Sequence, residues 1–228
     1  MVSQRSLERL RELIQRIVEA ETDDFFELAK IAGLNPSKDF STANLSGLDL
    51  RSAQLAGANF IATDLSQANL VNANLALASL INANLVGAKL INATLDRASL
   101  VSADMMGVSL VNASLLSANL TGANLTGADL SHADLRRALL IGCKLDGAIL
   151  YLASLTHVDL RRSSLTNASF RSANLYGTNL SYADLRGADL TDANLAGATF
   201  EKALLGGNRG LTREVMVSLQ QRGAILSH

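Results

Sequence analysis

The sequence contains little of what catalysis, metal binding or cross-linking requires. Its 228 residues include one cysteine, one proline, three histidines and no tryptophan. A single cysteine excludes an internal disulfide framework, and the scattered histidines lack the spacing of a metal site. No phosphate-binding glycine motif follows a predicted strand. We therefore expect no catalytic residues, no metal and no cofactor, and we interpret the chain as something other than an enzyme.

The sequence also lacks long apolar runs and a net charge of one sign. Apolar residues make up 48% of the chain, but no run approaches the ~18 residues that a membrane span needs. The N-terminus carries Arg5, Glu8 and Arg9 among its apolar residues, which argues against a secretory signal. The formal net charge is −1. We expect a cytoplasmic protein without a membrane partner.

Leu or Phe recurs at every fifth position from Phe40 to Leu205, usually with Ala two places before it. Of the 34 positions in this series, 29 are Leu, four are Phe and one is Met105. A short fixed period of this kind is typical of solenoid proteins. It matches neither the 3.6-residue period of a helix nor the alternation of a flat strand. We predict that each five-residue block forms one side of a coil, with the Ala and Leu side chains pointing inward.

The residues around each central position suit a corner. The second residue after it is often Gly or Asn, which tolerate tight turns, and the residue before it is mostly Asn, Asp, Ser or Thr, which can bond nearby backbone groups. We interpret His132 and His157 as surface turn residues and Cys143 as a buried structural thiol. Local bulging is expected where another residue replaces the inward Ala, at Leu48, Thr63, Val108, Cys143, Val158, Ser163 and Thr178.

The run Gly-Ala-Asn-Leu-Thr-Gly-Ala-Asp-Leu at residues 122–130 closely resembles the pentapeptide-repeat family, whose consensus is Ala-(Asp/Asn)-Leu-x-x. The resemblance covers residues 40–205. It implies an all-β solenoid, namely a right-handed quadrilateral β-helix with four blocks in each coil. About eight coils at ~4.8 Å each would then give a rod roughly 40 Å long. The ending from Gly210 onwards looks like the tails of small cyanobacterial members of the family.

Both segments outside the repeat have helical patterns. Residues 1–39 contain two stretches with apolar residues at helical spacing, and Thr212 is predicted to cap a further helix that Gly223 terminates. We therefore divide the chain into an N-terminal helical cap (1–39), a β-helix (40–207), and a C-terminal capping helix with a tail (208–228). Open β-helix ends expose strand edges, so capping explains both helical segments. Dimerisation or partner docking is the alternative.

Charge bears on one function that the resemblance implies. Some pentapeptide-repeat proteins protect DNA gyrase by imitating the charge of duplex DNA, and ~40 Å of duplex carries roughly 23 negative charges. Residues 40–207 hold 12 acidic and 11 basic side chains, which leaves one net negative charge. The charge therefore disfavours a DNA-mimic protein that acts on gyrase or topoisomerase. Because the basic residues are interleaved with acids, no direct nucleic-acid binding is expected either.

Two outward surfaces are candidates for partner binding. The first consists of apolar residues just after the central position, although exposed strands favour β-branched residues in any case. At twenty residues per coil they form two stacks on opposite sides, Ile61, Ile81 and Val101 on one and Val71, Ile91 and Val111 on the other. The second combines arginines with all three tyrosines, and a solvated charged face is its alternative. Its members are Arg136, Arg137, Arg161, Arg162, Tyr151, Tyr176 and Tyr182, with Arg171 and Arg186 nearby.

The sequence thus indicates a non-enzymatic protein–protein interaction module whose rigid faces bind a protein partner. A regulatory role is implied by the resemblance, because some relatives regulate cell differentiation by binding signalling or transcription factors. A homodimer through the apolar face or a terminal helix is a further alternative. A gyrase- or topoisomerase-interacting protein and a structural spacer are the other alternative functions.

Overall fold

The computed structural model describes residues 40–226, together with Glu12, Lys30, Ile31 and Gly33. The predicted N-terminal helical cap therefore lies almost wholly outside the described residues, and it stays a prediction. From Phe40 onwards the chain winds into a rod of parallel coils. The residue before each central position pairs with the residue twenty places later, from Asn44 with Asp64 to Asp189 with Arg209. Each coil therefore contains four five-residue blocks, and the rod has four sides.

The four sides are named here by their first central residues. Face 1 begins at Phe40, face 2 at Leu45, face 3 at Leu50 and face 4 at Leu55, and each continues at every twentieth residue. Faces 1 and 3 are opposite each other, as are faces 2 and 4. The central residues and the Ala residues two places before them form one continuous core, as predicted. From Leu50 to Leu190 every central residue is at most 2% exposed.

Each corner of the rod is a tight turn. The N–H group of the inward residue donates to the carbonyl of the preceding central residue, for example Ala123 N to Leu120 O at 2.8 Å. The second residue after every central position has a positive φ, as the third residue of a type II turn requires. Twelve of these residues are glycines. The other 22 are non-glycine residues whose backbone adopts the left-handed conformation, which costs about 1–2 kcal/mol for most residue types. The bulky ones are exceptions to the turn chemistry, notably Leu152 and Tyr182.

The polar residue before each central position bonds the turn that follows, as the sequence predicts. The N–H of Ser66 donates to Oδ1 of Asp64 at 3.0 Å, and the N–H of Thr121 donates to Oδ1 of Asn119 at 3.1 Å. These bonds satisfy a backbone donor that faces away from the ladder.

Polar residues in the inward Ala place are accommodated by hydrogen bonds. The parallel ladder runs through these blocks without interruption, where local bulging was expected. Each hydroxyl or thiol donates to the carbonyl 23 residues earlier, so no buried donor is left without a partner. The pairs are Thr63 to Phe40, Cys143 to Leu120, Ser163 to Leu140 and Thr178 to Leu155, at 2.5, 2.9, 2.6 and 2.7 Å. Burial raises the pKa of the Cys143 thiol to about 12, in agreement with a structural thiol.

The ladder extends past residue 207 at the C-terminal end. Strand β1 (Leu204–Leu205) pairs in parallel with β2 (Ile225–Leu226), and helix α1 (Arg213–Gln221) lies between them in the chain. Gly210 stands in the place of a central Leu, where an added Cβ would lie 2.3 Å from the backbone of Thr191. The paired positions are 21 residues apart, against twenty in the regular coils, so the helix takes the place of blocks in the last coil.

Helix α1 begins and ends as the sequence predicts. Thr212 accepts a hydrogen bond from the N–H of Val215, and Gly223 takes the left-handed conformation after the last turn. The N–H of Ala224 bonds the carbonyl of Leu219, and that of Gly223 bonds the carbonyl of Gln220, which together form a Schellman motif.

The helix packs on the end of the rod through two side chains. Leu219 is fully buried in the core. The guanidinium of Arg222 lies over the ring of Phe200 with 5.1 Å between Cζ and the ring centroid, and it donates to the carbonyls of Leu195 and Ala198. Carbonyls at the end of the last full coil thereby gain a donor that no further coil supplies.

Candidate functional site

The six apolar residues predicted as a partner site lie in two columns. Ile61, Ile81 and Val101 follow face 1, and Val71, Ile91 and Val111 follow face 3. All six are half-buried, because each side chain is flanked by its neighbours in the column. Since the two faces are opposite, a single flat partner surface could contact only one column. These residues are named below as the apolar columns.

Most arginines of the second predicted surface are paired with an aspartate. In Asp-Leu-Arg blocks the two charged side chains flank the same inward Leu, so the guanidinium reaches back to the carboxylate. Hydrogen bonds from Arg136 hold the pKa of Asp134 below its usual value, and Arg186 does the same for Asp184. The four pairs of this kind have N–O distances of 2.5–2.6 Å and are Asp49–Arg51, Asp134–Arg136, Asp159–Arg161 and Asp184–Arg186.

The structure divides the arginine and tyrosine residues among three corners of the rod. Arg136, Arg137 and Tyr176 lie at the corner after face 4, Tyr151 at the corner after face 3, and Arg161, Arg162 and Tyr182 at the corner after face 1. At the last corner the Tyr182 ring lies between two cations, 5.9 Å from Cζ of Arg162 and 5.3 Å from Nζ of Lys202. The predicted surface is therefore not one patch. The corners after faces 3 and 4 border face 4, whereas the corners after faces 4 and 1 border face 1.

Face 4 has a histidine–tyrosine pair at each of its two edges. His132 and Tyr151 meet edge to face at the corner after face 3, with 5.5 Å between ring centroids. His157 and Tyr176 do the same at the corner after face 4, at 5.6 Å. Gly177 leaves room for the second pair, because a Cβ there would lie 2.5 Å from Nδ1 of His157. Both histidines are exposed turn residues, as predicted.

Between these pairs runs a narrow band of small polar side chains, Asp134, Ser154 and Asn174, stacked by the parallel ladder. We call this band and its two histidine–tyrosine pairs the face 4 strip. At its outer edge lies an open cleft of about 360 Å³ lined by Leu116, Arg136, Arg137, Thr156 and His157. Within residues 40–226, Arg137 forms no ion pair, whereas Arg136 is held by Asp134.

Exposed apolar residues next to the strip were not selected by the sequence analysis. Ile149 lies on the adjoining face 3 and Leu152 at the corner after it; both are 44% exposed and share a block with Tyr151. Ile149 stands where a turn-bonding polar residue is usual, and Leu152 stands in a left-handed turn position with φ 54°. Both departures from the block pattern are visible in the sequence, and they are the signal that could have identified this patch.

In the part of the chain that the structure describes, no group of three or more His, Cys, Asp or Glu residues could hold a metal ion. Among those residues, no helix has the length and apolar character needed to cross a membrane.

A family profile described as pentapeptide repeats matches the chain in overlapping segments from residue 39 to residue 207. The chain belongs to the pentapeptide-repeat family. Its four-sided rod is thus the right-handed quadrilateral β-helix of pentapeptide-repeat proteins. A search of curated protein sequences finds no match to this chain.

Solved structures of other pentapeptide-repeat proteins are similar to this one. HetL from the cyanobacterium Nostoc sp. strain PCC 7120, a protein involved in the regulation of heterocyst differentiation, is 36% identical. That alignment covers 72% of this chain and 86% of HetL, with a TM-score of 0.60. Full-length QnrB1, a plasmid-mediated fluoroquinolone resistance protein, is 17% identical over 79% of this chain and 96% of its own, with a TM-score of 0.59. The similarity to QnrB1 concerns the fold alone.

Proposed function

We propose that this pentapeptide-repeat protein is a non-enzymatic regulatory module that acts by binding a protein partner to one face of its rod. The observation that carries the proposal is the 36% identity to HetL, a regulator of cell differentiation built on the same fold. The architecture supports it, because the backbone repeats almost unchanged from coil to coil and leaves only side chains to differ between faces. Flat, rigid faces bind with little loss of conformational entropy.

The apolar columns, which lie in the N-terminal half of the rod, are our proposed contact surface. From residue 66 to residue 95 the only charged side chain is Lys89, so this part of the surface presents few groups that resist desolvation. The column after face 1 changes from Ile81 and Val101 to Thr121 one coil later, with the same half-buried environment. The strands themselves therefore do not require an apolar residue at this position.

The experiment is an affinity pull-down from the native lysate with tagged full-length protein, compared with two test variants and one control variant. Ile81→Lys and Ile91→Lys each place an unpaired charge in one column, whereas Thr121→Lys is the matched control in the same column as Ile81. We expect all variants to keep the wild-type melting temperature and one column variant to lose the captured protein, because a buried Lys opposes the contact.

The possible outcomes separate the alternatives. Light scattering of the same proteins reports self-association, so a homodimer through a column would dissociate only in the corresponding variant. Capture that is equal in all variants contradicts the apolar columns as the contact surface. If no protein is specifically captured by the wild type, the interaction proposal is wrong and a structural spacer is the better explanation.

A further inference from the structure

We propose that the face 4 strip binds an extended, acidic segment of a protein partner, with apolar side chains of that segment resting on Tyr151 and Leu152. This inference rests on the proposed function and identifies the chemistry of the partner segment. The two histidine–tyrosine pairs border a single face, one at each edge, with only small polar side chains between them. An extended chain lying along this band would contact one pair on each side, and tyrosines are frequent anchors at interfaces.

Charge favours an acidic occupant. Three arginines border the strip, Arg136, Arg137 and Arg171, and two carboxylates partner them: Asp134 at 2.6 Å from Arg136, and Asp189 at 3.8 Å from Arg171. Of these three arginines, Arg137 is the one that has no carboxylate partner within residues 40–226. Its guanidinium borders the open cleft beside His157, where a carboxylate of a bound segment would complete a charge-assisted hydrogen bond.

The block 148–152 favours apolar contact, because it lacks two local features that stabilise other blocks, namely the turn hydrogen bond and a small turn residue. Ile149, on the adjoining face 3, cannot accept the hydrogen bond that Asp129 and Asp189 accept from the turn at the same position of that face. Leu152 keeps a bulky side chain in a left-handed conformation that Gly or Asn would adopt at lower cost. Strained or locally unfavourable residues that remain exposed point to a binding role, because folding alone would select against them.

The probe is a phage-displayed library of random dodecapeptides, selected against immobilised full-length protein. The most enriched peptide is then synthesised with a fluorescein label and titrated by fluorescence polarisation. The test variant carries Arg137→Ser and Tyr151→Ser. Both substitutions suit the fold, because Ser117 and Ser131 occupy the equivalent places one coil earlier. The control is Arg186→Thr on the opposite face 2, where Thr126 and Thr166 hold the equivalent place.

We expect enriched peptides that are net acidic and contain aliphatic or aromatic residues. Their affinity should fall at least tenfold in the double variant and change less than twofold in Arg186→Thr. Circular dichroism checks that both variants keep the β-helix. The inference is overturned by a lack of enrichment, by enriched peptides that are not acidic, or by equal losses in the variant and the control.

The same variants separate this inference from the proposed function. If the double variant still captures the native partner, the partner uses another face, and only the face 4 strip is excluded. If neither the wild type nor any variant captures a partner, the interaction proposal itself fails.

Discussion

Replacing the mid-rod residue Leu120 with Ala should strongly destabilise the protein. Leu120 is fully buried, and its side chain lies in the core between Leu100 and Leu140 of the adjacent coils. The lost transfer free energy alone is about 2.4 kcal/mol, at ~0.8 kcal/mol for each of three carbons. The cavity adds to this cost when the surroundings cannot collapse, and measured Leu→Ala losses reach ~5 kcal/mol.

Collapse around Leu120 is restricted because its backbone is bonded to both the turn and the next coil. Its N–H donates to Leu139 O at 2.7 Å, and its carbonyl accepts from the N–H of Ala123 and the thiol of Cys143. We therefore expect a loss of about 4 kcal/mol in the free energy of unfolding. Leu120→Lys should cost more, because it also buries an unpaired charge.

Urea unfolding followed by circular dichroism measures this loss, with Asn119→Ser as the matched control. Ser79 and Ser99 already occupy the equivalent place on face 1, so the control should lose less than about 1 kcal/mol, mainly from the Asn119 bonds to Thr121. If the two variants unfold at the same urea concentration, the assignment of Leu120 to the core is refuted.

Three further predictions concern a buried hydrogen bond, acid and gyrase. Thr178→Val should lower the free energy of unfolding in urea by about 1 kcal/mol. The Leu155 carbonyl loses the hydroxyl of Thr178 but keeps the N–H of Val158, and Val158 shows that Val fits the inward place. Unchanged stability would contradict this prediction. The melting temperature should fall as the pH drops below about 4. The pKa values of Asp134 and Asp184 are lower in the folded than in the unfolded protein, so their ionised carboxylates stabilise the fold at higher pH, and protonation removes this stabilisation. A flat melting curve from pH 7 to pH 2.5 would show that these pairs contribute nothing. The purified protein should leave supercoiling by gyrase unchanged on plasmid gels, with or without a quinolone, because the rod is nearly neutral. Inhibition of gyrase, or its protection from the drug, at stoichiometric amounts of the protein would contradict this prediction.

The fold could be predicted because each block specifies its own geometry. The inward pair of Ala and Leu, the turn-bonding Asn or Asp, and the turn residue recur in register, so every local preference agrees with the same backbone. The twenty-residue coil came from the family resemblance, since a period of five does not state the number of sides. The C-terminal helix was also predictable, because Thr212 and Gly223 have the chemistry of helix caps.

The second predicted surface is divided among corners because its residues were grouped by nearness along the chain, whereas the twenty-residue period decides which corner each one occupies. Tyr151, Tyr176 and Tyr182 lie at three successive corners, although Tyr182 is only six residues beyond Tyr176. The ion pairs within the Asp-Leu-Arg blocks were missed for a different reason. The alternation of inward and outward residues places both charges beside one Leu, and counting charges along the chain does not reveal that contact.

The pairing of residues twenty apart has a consequence for how function is encoded in this rod. Because the backbone is nearly the same in every coil, an inward residue in its usual place is explained by folding. Outward residues that the fold does not require carry further information. They include the apolar columns, since Thr121 stands in the same place, and the exposed departures from the block pattern. Buried departures such as Ser163 and Thr178 satisfy their own donors, so folding explains them too. Leu152, an exposed departure at the edge of face 4, gains no such bond, and that difference is the reason to look for a partner segment on face 4 in addition to the apolar columns.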